Sequence, residues 1–325
     1  MPAIVTLTMN PALDISTNAE RVGPTDKIRC AEPRYDPGGG GINVDRVVRE
    51  LGEPVVAVFP LGSATGAVLG ELLDREGVWT RRVPIAGATR ESFTVDEYRT
   101  GDQYRFVLPG PRLSRAEQEQ CLALLAEAAR DARYVVASGS LPPGTPPDFY
   151  DRVAAMARDS GARCVLDTSG EPLRRTGTAV YLLKPSIREL RELADRDLTD
   201  DAAQARAARE LVDAGRCEVV VLSRGAGGAL AVTADSAARF PAIPVAVRSG
   251  VGAGDAMLAG ITVGLARDRS LHDAVRLGMA AGAAMLTTPG TRPCRREEIE
   301  NLYHRLADAT SVDSVRVETT ERQGT

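Results

Sequence analysis

A glycine turn that ends in an aspartate is the strongest chemical signal in the sequence. Residues 250–255 read Gly-Val-Gly-Ala-Gly-Asp and lead into a small, apolar run with helical spacing. The first amides of a helix lack intrahelical partners and carry the positive end of the helix dipole, so they can hold a transferring phosphoryl group. Asp255 would face that anion site. Its carboxylate could take the proton from a hydroxyl nucleophile or simply cap the helix, and these residues alone leave both interpretations open.

A second glycine run, at residues 38–41, precedes Ile42 and Asn43 at the start of another predicted helix. Four successive glycines cost chain entropy, which favours a surface that a ligand approaches closely over a turn without a ligand. The Asn43 side chain offers a donor and an acceptor to sugar hydroxyls. Asp14 follows the first predicted strand, at the edge where open α/β sheets bind ligands.

The type of nucleotide site is narrowed by two motifs that the sequence lacks. Neither glycine run ends in Gly-Lys-Ser/Thr, and neither has Gly-x-Gly-x-x-Gly spacing after the first strand, which argues against a Walker loop and a dinucleotide-binding oxidoreductase. Among 40 basic residues only Lys27 and Lys184 are lysines. Because arginine serves elsewhere as the general surface cation, we expect a functional role for both lysines.

The elements that must position these residues follow from apolar, β-branched runs that alternate with longer helical patterns. This alternation predicts βαβ units around a mostly parallel sheet, and hence an α/β fold. Helices are predicted at 114–130, where Ser114 and Glu117 fit a capping box, and at 147–160. Core strands are predicted at 134–137, 163–166, 180–183 and 219–222.

Two segments with strand-like polar alternation, 17–36 and 91–107, interrupt this pattern. They predict either a small antiparallel lid or a pair of surface hairpins. A lid would exclude water, which competes with a sugar hydroxyl as phosphoryl acceptor.

Composition argues against several classes of protein. The 325 residues are 43% hydrophobic and 26% charged, which suits one large α/β domain or two modest ones. A net charge of −4 argues against a nucleic-acid partner, and the absence of a long apolar run predicts no membrane contact and a cytoplasmic location. Five cysteines without a Cys-x-x-Cys pair predict reduced thiols, and the polar residues 311–325 predict a flexible tail.

With the glycine blocks 38–43 and 252–255 in this order, the chain resembles the ribokinase-like (PfkB) sugar kinase family over nearly its whole length. The resemblance implies a ribokinase-like three-layer sandwich with a small antiparallel β lid. It implies one kinase domain over residues 1–310, with lid strands from about 14–37 and 88–107. It also implies ATP and Mg²⁺ as cofactors, K⁺ as a further ion, and a homodimer formed through the lid.

Within the family, residues 6–14 look like the branch whose acceptor already carries phosphate. Segments 104–106, 138–144 and 167–171, together with Gly40, resemble members that phosphorylate fructose 6-phosphate. The implied reaction is ATP-dependent phosphorylation of its 1-hydroxyl, which gives fructose 1,6-bisphosphate and ADP in glycolysis. Kinases for tagatose 6-phosphate or fructose 1-phosphate, which usually have lysine in place of Gly40, remain alternatives, as does a non-catalytic phosphosugar-binding regulator.

The resemblance also implies roles for individual residues. Catalysis is expected from Asp255 as general base, with an anion hole formed by Gly252, Ala253 and Gly254. Contacts with the sugar phosphate are expected from Asp14, Lys27, Gly38, Gly39, Asn43, Arg90, Arg105 and Ser138. Contacts with ATP are expected from Lys184, Ser186, Ser223, Arg224, Gly225 and Gly228. Glu189 is expected to bind Mg²⁺ indirectly, and Ser249 and Val251 to lie beside a monovalent cation.

Three positions depart from the family pattern. After its Lys-Pro dipeptide the family usually has Asn-x-x-Glu, whereas this chain has Ser186 three residues before Glu189, so a hydroxyl would order the metal-bound water in place of an amide. Gly250 and Arg224 stand where the nearest members usually have Thr and Leu. Arg224 is expected to lie beside the nucleotide and to influence ATP affinity.

Overall fold

The computed structural model of the protein describes residues 2–24, 27–288 and 292–309, with side chains up to residue 306. Its strands are β1 (Ile4–Leu7), β2 (Ala12–Ala19), β3 (Arg34–Gly38), β4 (Val55–Leu61), β5 (Thr80–Pro84), β6 (Arg90–Glu97), β7 (Gln103–Val107), β8 (Tyr134–Ser138), β9 (Arg163–Asp167), β10 (Val180–Leu183), β11 (Cys217–Ser223), β12 (Ala229–Val232) and β13 (Ala237–Phe240). Its helices are α1 (Gly40–Glu50), α2 (Ser63–Arg75), α3 (Arg115–Ala128), α4 (Phe149–Asp159), α5 (Gly170–Arg175), α6 (Ile187–Ala194), α7 (Asp201–Asp213), α8 (Ala253–Ala266), α9 (Leu271–Leu286) and α10 (Arg296–Ala309).

The main sheet has nine strands in the order β13-β12-β11-β10-β9-β8-β1-β4-β5. All pairs from β11 to β5 are parallel, and β12 and β13 add two antiparallel pairs at one edge. Apolar residues of this sheet enter three clusters under the helices, two large ones and a smaller one that contains Phe59 of β4. Strands buried on both faces read as mainly apolar runs, and β1 is an example: all four of its residues are buried, and three of them, Ile4, Val5 and Leu7, are apolar. The predicted α/β fold with a mostly parallel sheet is confirmed.

The smaller sheet has the order β3-β2-β6-β7. Its outer pairs are antiparallel, as expected, but its central pair β2–β6 is parallel over eight residues. The reason is connectivity. Strands β2 and β6 each begin a separate excursion from the carboxyl edge of the main sheet, after β1 and β5, and therefore run in the same direction. We call this four-stranded sheet the lid.

The predicted capping box starts helix α3. The Ser114 hydroxyl accepts a hydrogen bond from the Glu117 amide at 3.3 Å, and Glu117 accepts one from the Ser114 amide at 2.7 Å. A second capping box, which the sequence analysis did not anticipate, starts α6 with Ser186 and Glu189. In both helices the box satisfies amides that would otherwise lack a partner.

Asp45 is a carboxyl residue on the buried face of α1, where apolar residues are usual. Its side chain is fully buried, and neither carboxylate oxygen has a hydrogen-bond partner among the described residues. Burial raises the pKa of Asp45 to about 8, although Arg49 and Arg46 oppose the shift. A buried carboxyl without partners is cheaper to keep neutral than charged, so Asp45 is protonated in the folded protein at neutral pH.

The remaining sequence predictions concern the ends and the cysteines. All five cysteines are free, with Cys30 exposed and the others buried. Within the described residues, no helix has both the length and the apolar character needed to cross a bilayer. The predicted polar tail, 311–325, lies outside the described residues, and the single domain over 1–310 stays a prediction.

Candidate active site

Polar residues converge where the parallel strands of the main sheet end. Ser138 ends β8, Asp167 ends β9, Lys184 follows β10, and Ser223 ends β11. These strands are neighbours and parallel, so their carboxyl ends share one edge. The N-terminus of α8 meets this edge, since Asp255 in its first turn contacts Ser138.

Asp255 is held by side chains from two other parts of the chain. One carboxylate oxygen accepts a hydrogen bond from the Asn43 amide nitrogen at 3.0 Å, and the other accepts one from the Ser138 hydroxyl at 3.2 Å. Burial, together with repulsion from Asp167, raises the pKa of Asp255 to about 6, while Asn43, Lys184 and Ser138 oppose the shift. The carboxylate is therefore ionised at neutral pH but more basic than an exposed aspartate.

The glycine run brings Asn43 to this position by allowing α1 to approach the sheet edge. A Cβ at Gly40 would lie 2.3 Å from the Ser138 hydroxyl oxygen, and one at Gly41 would lie 2.5 Å from the Leu7 carbonyl oxygen. Gly39 has a φ of 117°, which side chains disfavour. Close approach, rather than flexibility, explains these glycines.

The first turn of α8 forms a wall between two cavities. Gly252 adopts the left-handed conformation with a φ of 76° and precedes Ala253 and Gly254. Gly252 and Asp255 line one cavity, whereas Ala253 and Gly254 line the other. The first amides of a helix have no intrahelical partners and attract anions, and this turn places them at the boundary between the two cavities.

Lys184 lies against this turn and forms a buried ion pair with Asp167. Its ammonium is 2.8 Å from a carboxylate oxygen of Asp167, and the side chain is only 4% exposed. Burial lowers the pKa of Lys184, but the ion pair with Asp167 and the charges of Asp255 and Glu189 outweigh it and raise the pKa overall. The Lys184 nitrogen also lies 3.4 Å from where a Cβ of Gly254 would stand. Lys184 is therefore a fixed positive charge beside the α8 amides.

The first cavity lies between the lid and the main sheet and has a volume of about 240 Å³. Its polar walls come from both, as Asp14, Ser16, Ser92, Thr94, Arg90 and Arg105 of the lid face Gly39, Gly40, Asn43, Gly139, Gly252 and Asp255. A cavity of this size with several hydroxyl, carboxylate and guanidinium groups suits a small, polar, anionic ligand.

Asp14 and Arg90 bring opposite charges from the lid into this cavity. Burial raises the pKa of Asp14 to about 6, although Arg90 and Arg105 lower it. Gly38 leaves room for this carboxylate, because a Cβ there would lie 2.2 Å from an Asp14 oxygen. The Arg90 guanidinium donates to the carbonyl oxygens of Asn10 and Leu108 at 3.1 to 3.2 Å, so its direction is fixed.

The second cavity has a volume of about 220 Å³ and mainly apolar walls. Ser223, Gly225 and Gly228, three of the residues expected to contact ATP, lie along it. The remaining walls come from Ala242, Ile243, Met257, Met279, Gly282, Ala283 and Leu286. Sequence reasoning did not find these residues, because they form no motif: Ala242 and Ile243 lie in the connection after β13, and the others resemble ordinary core positions of α8 and α9.

Comparisons with known proteins agree with this arrangement. The family model described as pfkB family carbohydrate kinase matches residues 6–298. The chain belongs to this family. It is 57% identical to ATP-dependent 6-phosphofructokinase isozyme 2 of Mycobacterium tuberculosis, over 96% of this chain and 92% of the relative.

Two crystal structures of Escherichia coli phosphofructokinase-2 have the same fold as this pfkB family member. The complex with fructose-6-phosphate is 38% identical with a TM-score of 0.88, and the complex with potassium is 39% identical with a TM-score of 0.89. Each match covers 94% of this chain and 100% of the other. The predicted family and its ribokinase-like fold are confirmed.

Some residues that the family resemblance singles out lie apart from the cavities or have other contacts. Lys27 is exposed in the connection between β2 and β3 and does not line the first cavity. The Arg224 guanidinium donates to the Asp201 carboxylate at 2.6 Å and to the Gly227 carbonyl at 2.8 Å, so it supports the 225–227 turn from the α7 side. Such anchoring fixes the backbone of the turn rather than presenting a charge to the second cavity.

The positions expected near metal ions adopt defined local structures in this pfkB kinase. One Glu189 oxygen accepts from both the Ser186 amide and hydroxyl, at 2.8 and 2.7 Å. Ser249 is buried, and its hydroxyl accepts from the Val251 amide at 3.3 Å. Both arrangements lie at a helix N-terminus, that of α6 in the first case and that of α8 in the second.

Proposed function

We propose that this protein is an ATP-dependent 6-phosphofructokinase, which phosphorylates fructose 6-phosphate at its 1-hydroxyl to give fructose 1,6-bisphosphate and ADP. One observation carries the proposal. Asp255, held by Asn43 and Ser138, faces the polar cavity at the helix turn whose other side faces the apolar cavity. A hydroxyl in the first cavity and a nucleotide in the second would meet at that turn.

Asp255 acts as the general base in this proposal. Its carboxylate takes the proton of the sugar hydroxyl while that oxygen forms a bond to the γ-phosphorus, and the bond to the β-phosphate oxygen breaks to release ADP. The pKa of about 6 suits a base that works near neutral pH. The α8 amides and the Lys184 ammonium stabilise the charge on the transferring group.

The phosphate of the sugar would be held from the lid side. Arg90 and Arg105 line the first cavity together with Asp14, which can accept hydrogen bonds from sugar hydroxyls. A guanidinium that is already fixed on two carbonyls loses little conformational entropy when it binds. These contacts support a phosphorylated acceptor over a neutral sugar.

The residues present fit the expected metal ions. One oxygen of Glu189 is used by the capping box, and the other lies 3.6 Å from the exposed Arg188 guanidinium. This second oxygen is the one that can order a water of Mg²⁺ that ATP phosphates carry. When bound, this ion would neutralise phosphate charge. The Ser249–Val251 turn, directly before the α8 N-terminus, would be the place of a monovalent cation such as K⁺. A cytoplasmic location completes the proposal, because substrate and ATP are supplied there.

A substrate panel tests this function. With ATP and Mg²⁺, the wild-type chain is expected to phosphorylate fructose 6-phosphate with a kcat/KM at least about tenfold above those for tagatose 6-phosphate and fructose 1-phosphate. Unphosphorylated fructose is expected to react far more slowly, because the two arginines would lack their partner. Product formation is followed by coupled ADP assay and confirmed by mass spectrometry. Preference for another phosphosugar would contradict the substrate, and binding without turnover would favour a regulator.

The outer face of the lid supports a homodimer. Strand register places Tyr35, Ile15, Phe93 and Phe106 in one row across the four strands. Neighbouring residues point to opposite faces, so these side chains lie on the face opposite to Asp14, Ser92 and Arg105, which line the cavity. Phe93, in the middle of the row, also reaches the cavity wall, whereas Tyr35, Ile15 and Phe106 do not line it. Phe106 is 52% exposed and Tyr35 is 46% exposed. An exposed apolar row on a thin sheet is typical of an interface.

Replacing Phe106 with glutamate is therefore expected to convert a dimer into a monomer. Sedimentation equilibrium should give twice the chain mass of 34.5 kDa for the wild type and a single chain mass for the variant. Tyr98→Glu is the matched control, because Tyr98 is 71% exposed in the β6–β7 turn, outside the row. A wild-type monomer, or an equal effect of both substitutions, would contradict the lid interface.

A further inference from the structure

The turn that carries Ser138 is held by two buried hydroxyls that the proposed mechanism has not used. Tyr150, at the start of α4, donates to the Gly139 carbonyl oxygen at 2.9 Å. Thr168, directly after β9, donates to the same oxygen at 3.0 Å. Tyr150 is 1% exposed and Thr168 is 4% exposed, so both bonds are shielded from water. We call these two residues the carbonyl clamp.

The clamp acts on a backbone conformation that only glycine adopts readily. Gly139 has a φ of 109°, and its amide donates to the Asp167 carbonyl at 2.9 Å. Gly40 packs closely against Gly139, because a Cβ added to Gly40 would lie only 2.9 Å from the Gly139 nitrogen. The Gly139 carbonyl therefore has one direction, which the two hydroxyls fix.

This direction matters because Ser138 comes immediately before Gly139. The Ser138 hydroxyl donates to Asp255, and Gly139 lines the first cavity. Thr168 in turn follows Asp167, the partner of Lys184. The clamp thus holds the residue next in the chain to Ser138, which contacts Asp255, and contains the residue next to Asp167, which contacts Lys184. Neither Tyr150 nor Thr168 lines the first cavity.

We infer that Tyr150 and Thr168 are positioning residues for the general base, which hold the Ser138 hydroxyl on the Asp255 carboxylate by fixing the Gly139 carbonyl from two sides. The inference rests on the proposed function. A hydrogen bond to a carboxylate stabilises its ionised form, so loosening Ser138 makes Asp255 easier to protonate. Base catalysis then fails at a higher pH than in the wild type.

The test compares kcat against pH for the wild type, Tyr150→Phe, Thr168→Val and the double variant, with fructose 6-phosphate and ATP saturating. The double variant is expected to shift the acid limb upward by about half to one pH unit and to lower kcat about five- to tenfold near pH 7. The KM for ATP should stay within about twofold. Thermal melting confirms that each variant is folded.

Two comparisons separate positioning from general stability. In a Ser138→Ala background the clamp substitutions should have less than about a twofold further effect, because their target is gone. Tyr134→Phe is the matched control, since Tyr134 is 2% exposed at the opposite end of β8, and should leave the limb unchanged.

The outcomes are distinguishable. An unshifted acid limb in a folded double variant, or effects that multiply fully with Ser138→Ala, would overturn the inference while the proposed function stands. Absence of turnover by the wild type with every phosphosugar would overturn both.

Discussion

Asp255→Asn is expected to lower kcat about 10³-fold, with little change in the KM for either substrate. An amide of the same shape keeps contacts with Asn43 and Ser138 but cannot accept the hydroxyl proton. Steady-state kinetics with fructose 6-phosphate and ATP measures the loss. In the wild type, burial and Asp167 raise the Asp255 pKa to about 6, so log kcat should fall with unit slope below about pH 6.

The α9 helix supplies the control for this substitution. Asp273 has the same place in the first turn of α9 that Asp255 has in α8, and it interacts with Ser270 and Arg276 rather than with a cavity. Asp273→Asn removes a charge from a helix N-terminus without removing a base. If both substitutions reduced kcat equally, or if Asp255→Asn retained most of the activity, the general base would have to be sought elsewhere.

The Asp45→Ala substitution is expected to stabilise the protein, by roughly 2 to 4 kcal/mol at about pH 7.5, even though it removes a buried side chain. The folded pKa of about 8 lies above the ordinary value of 3.8. Between these values the folded state binds a proton that the unfolded state does not. Wild-type stability therefore falls as pH rises from about 4 to about 8, by up to about 1.4 kcal/mol per pH unit.

Urea unfolding of wild type and Asp45→Ala across this pH range measures both the gain and the slope. The variant should have the higher unfolding free energy and a flatter pH dependence. Asp36→Ala is the contrasting control, because Asp36 is also buried but pairs with Arg34 at 2.7 Å, and its loss should destabilise the lid. A less stable Asp45→Ala with an unchanged pH slope would contradict the account.

Local signals predicted the fold and part of the site well, because they depend on neighbours in the chain. The α3 capping box needs only Ser114 and Glu117, and the alternation of apolar runs fixes the type of sheet. The turn before α8 was recognisable because glycines and Asp255 are consecutive. In each of these patterns the residues that interact are close together in the chain, so the sequence alone is enough to recognise them.

What escaped prediction depends on distant contacts. Asn43 meets Asp255 across 212 positions, and nothing near either residue specifies that hydrogen bond. The parallel β2–β6 pair follows from where two excursions leave the main sheet, not from their composition. The family resemblance places Arg224 beside the nucleotide, but it gives no sign that Asp201, on another helix, accepts a hydrogen bond from the Arg224 side chain. The direction of a long charged side chain depends on where the fold places an opposite charge, which the neighbouring sequence does not show.

The parallel pairing inside the lid has a mechanical consequence. Each half of this sheet is tied to the body by its own short connections, residues 8–11 and 39 for one half and residues 85–89 and 108–114 for the other. With β2 and β6 bonded side by side, neither half can swing alone without breaking its shared ladder. A sugar phosphate that contacts both Arg90 and Asp255 would therefore connect the lid to the main sheet. Because the lid moves as one unit, this single ligand would restrain all four of its strands.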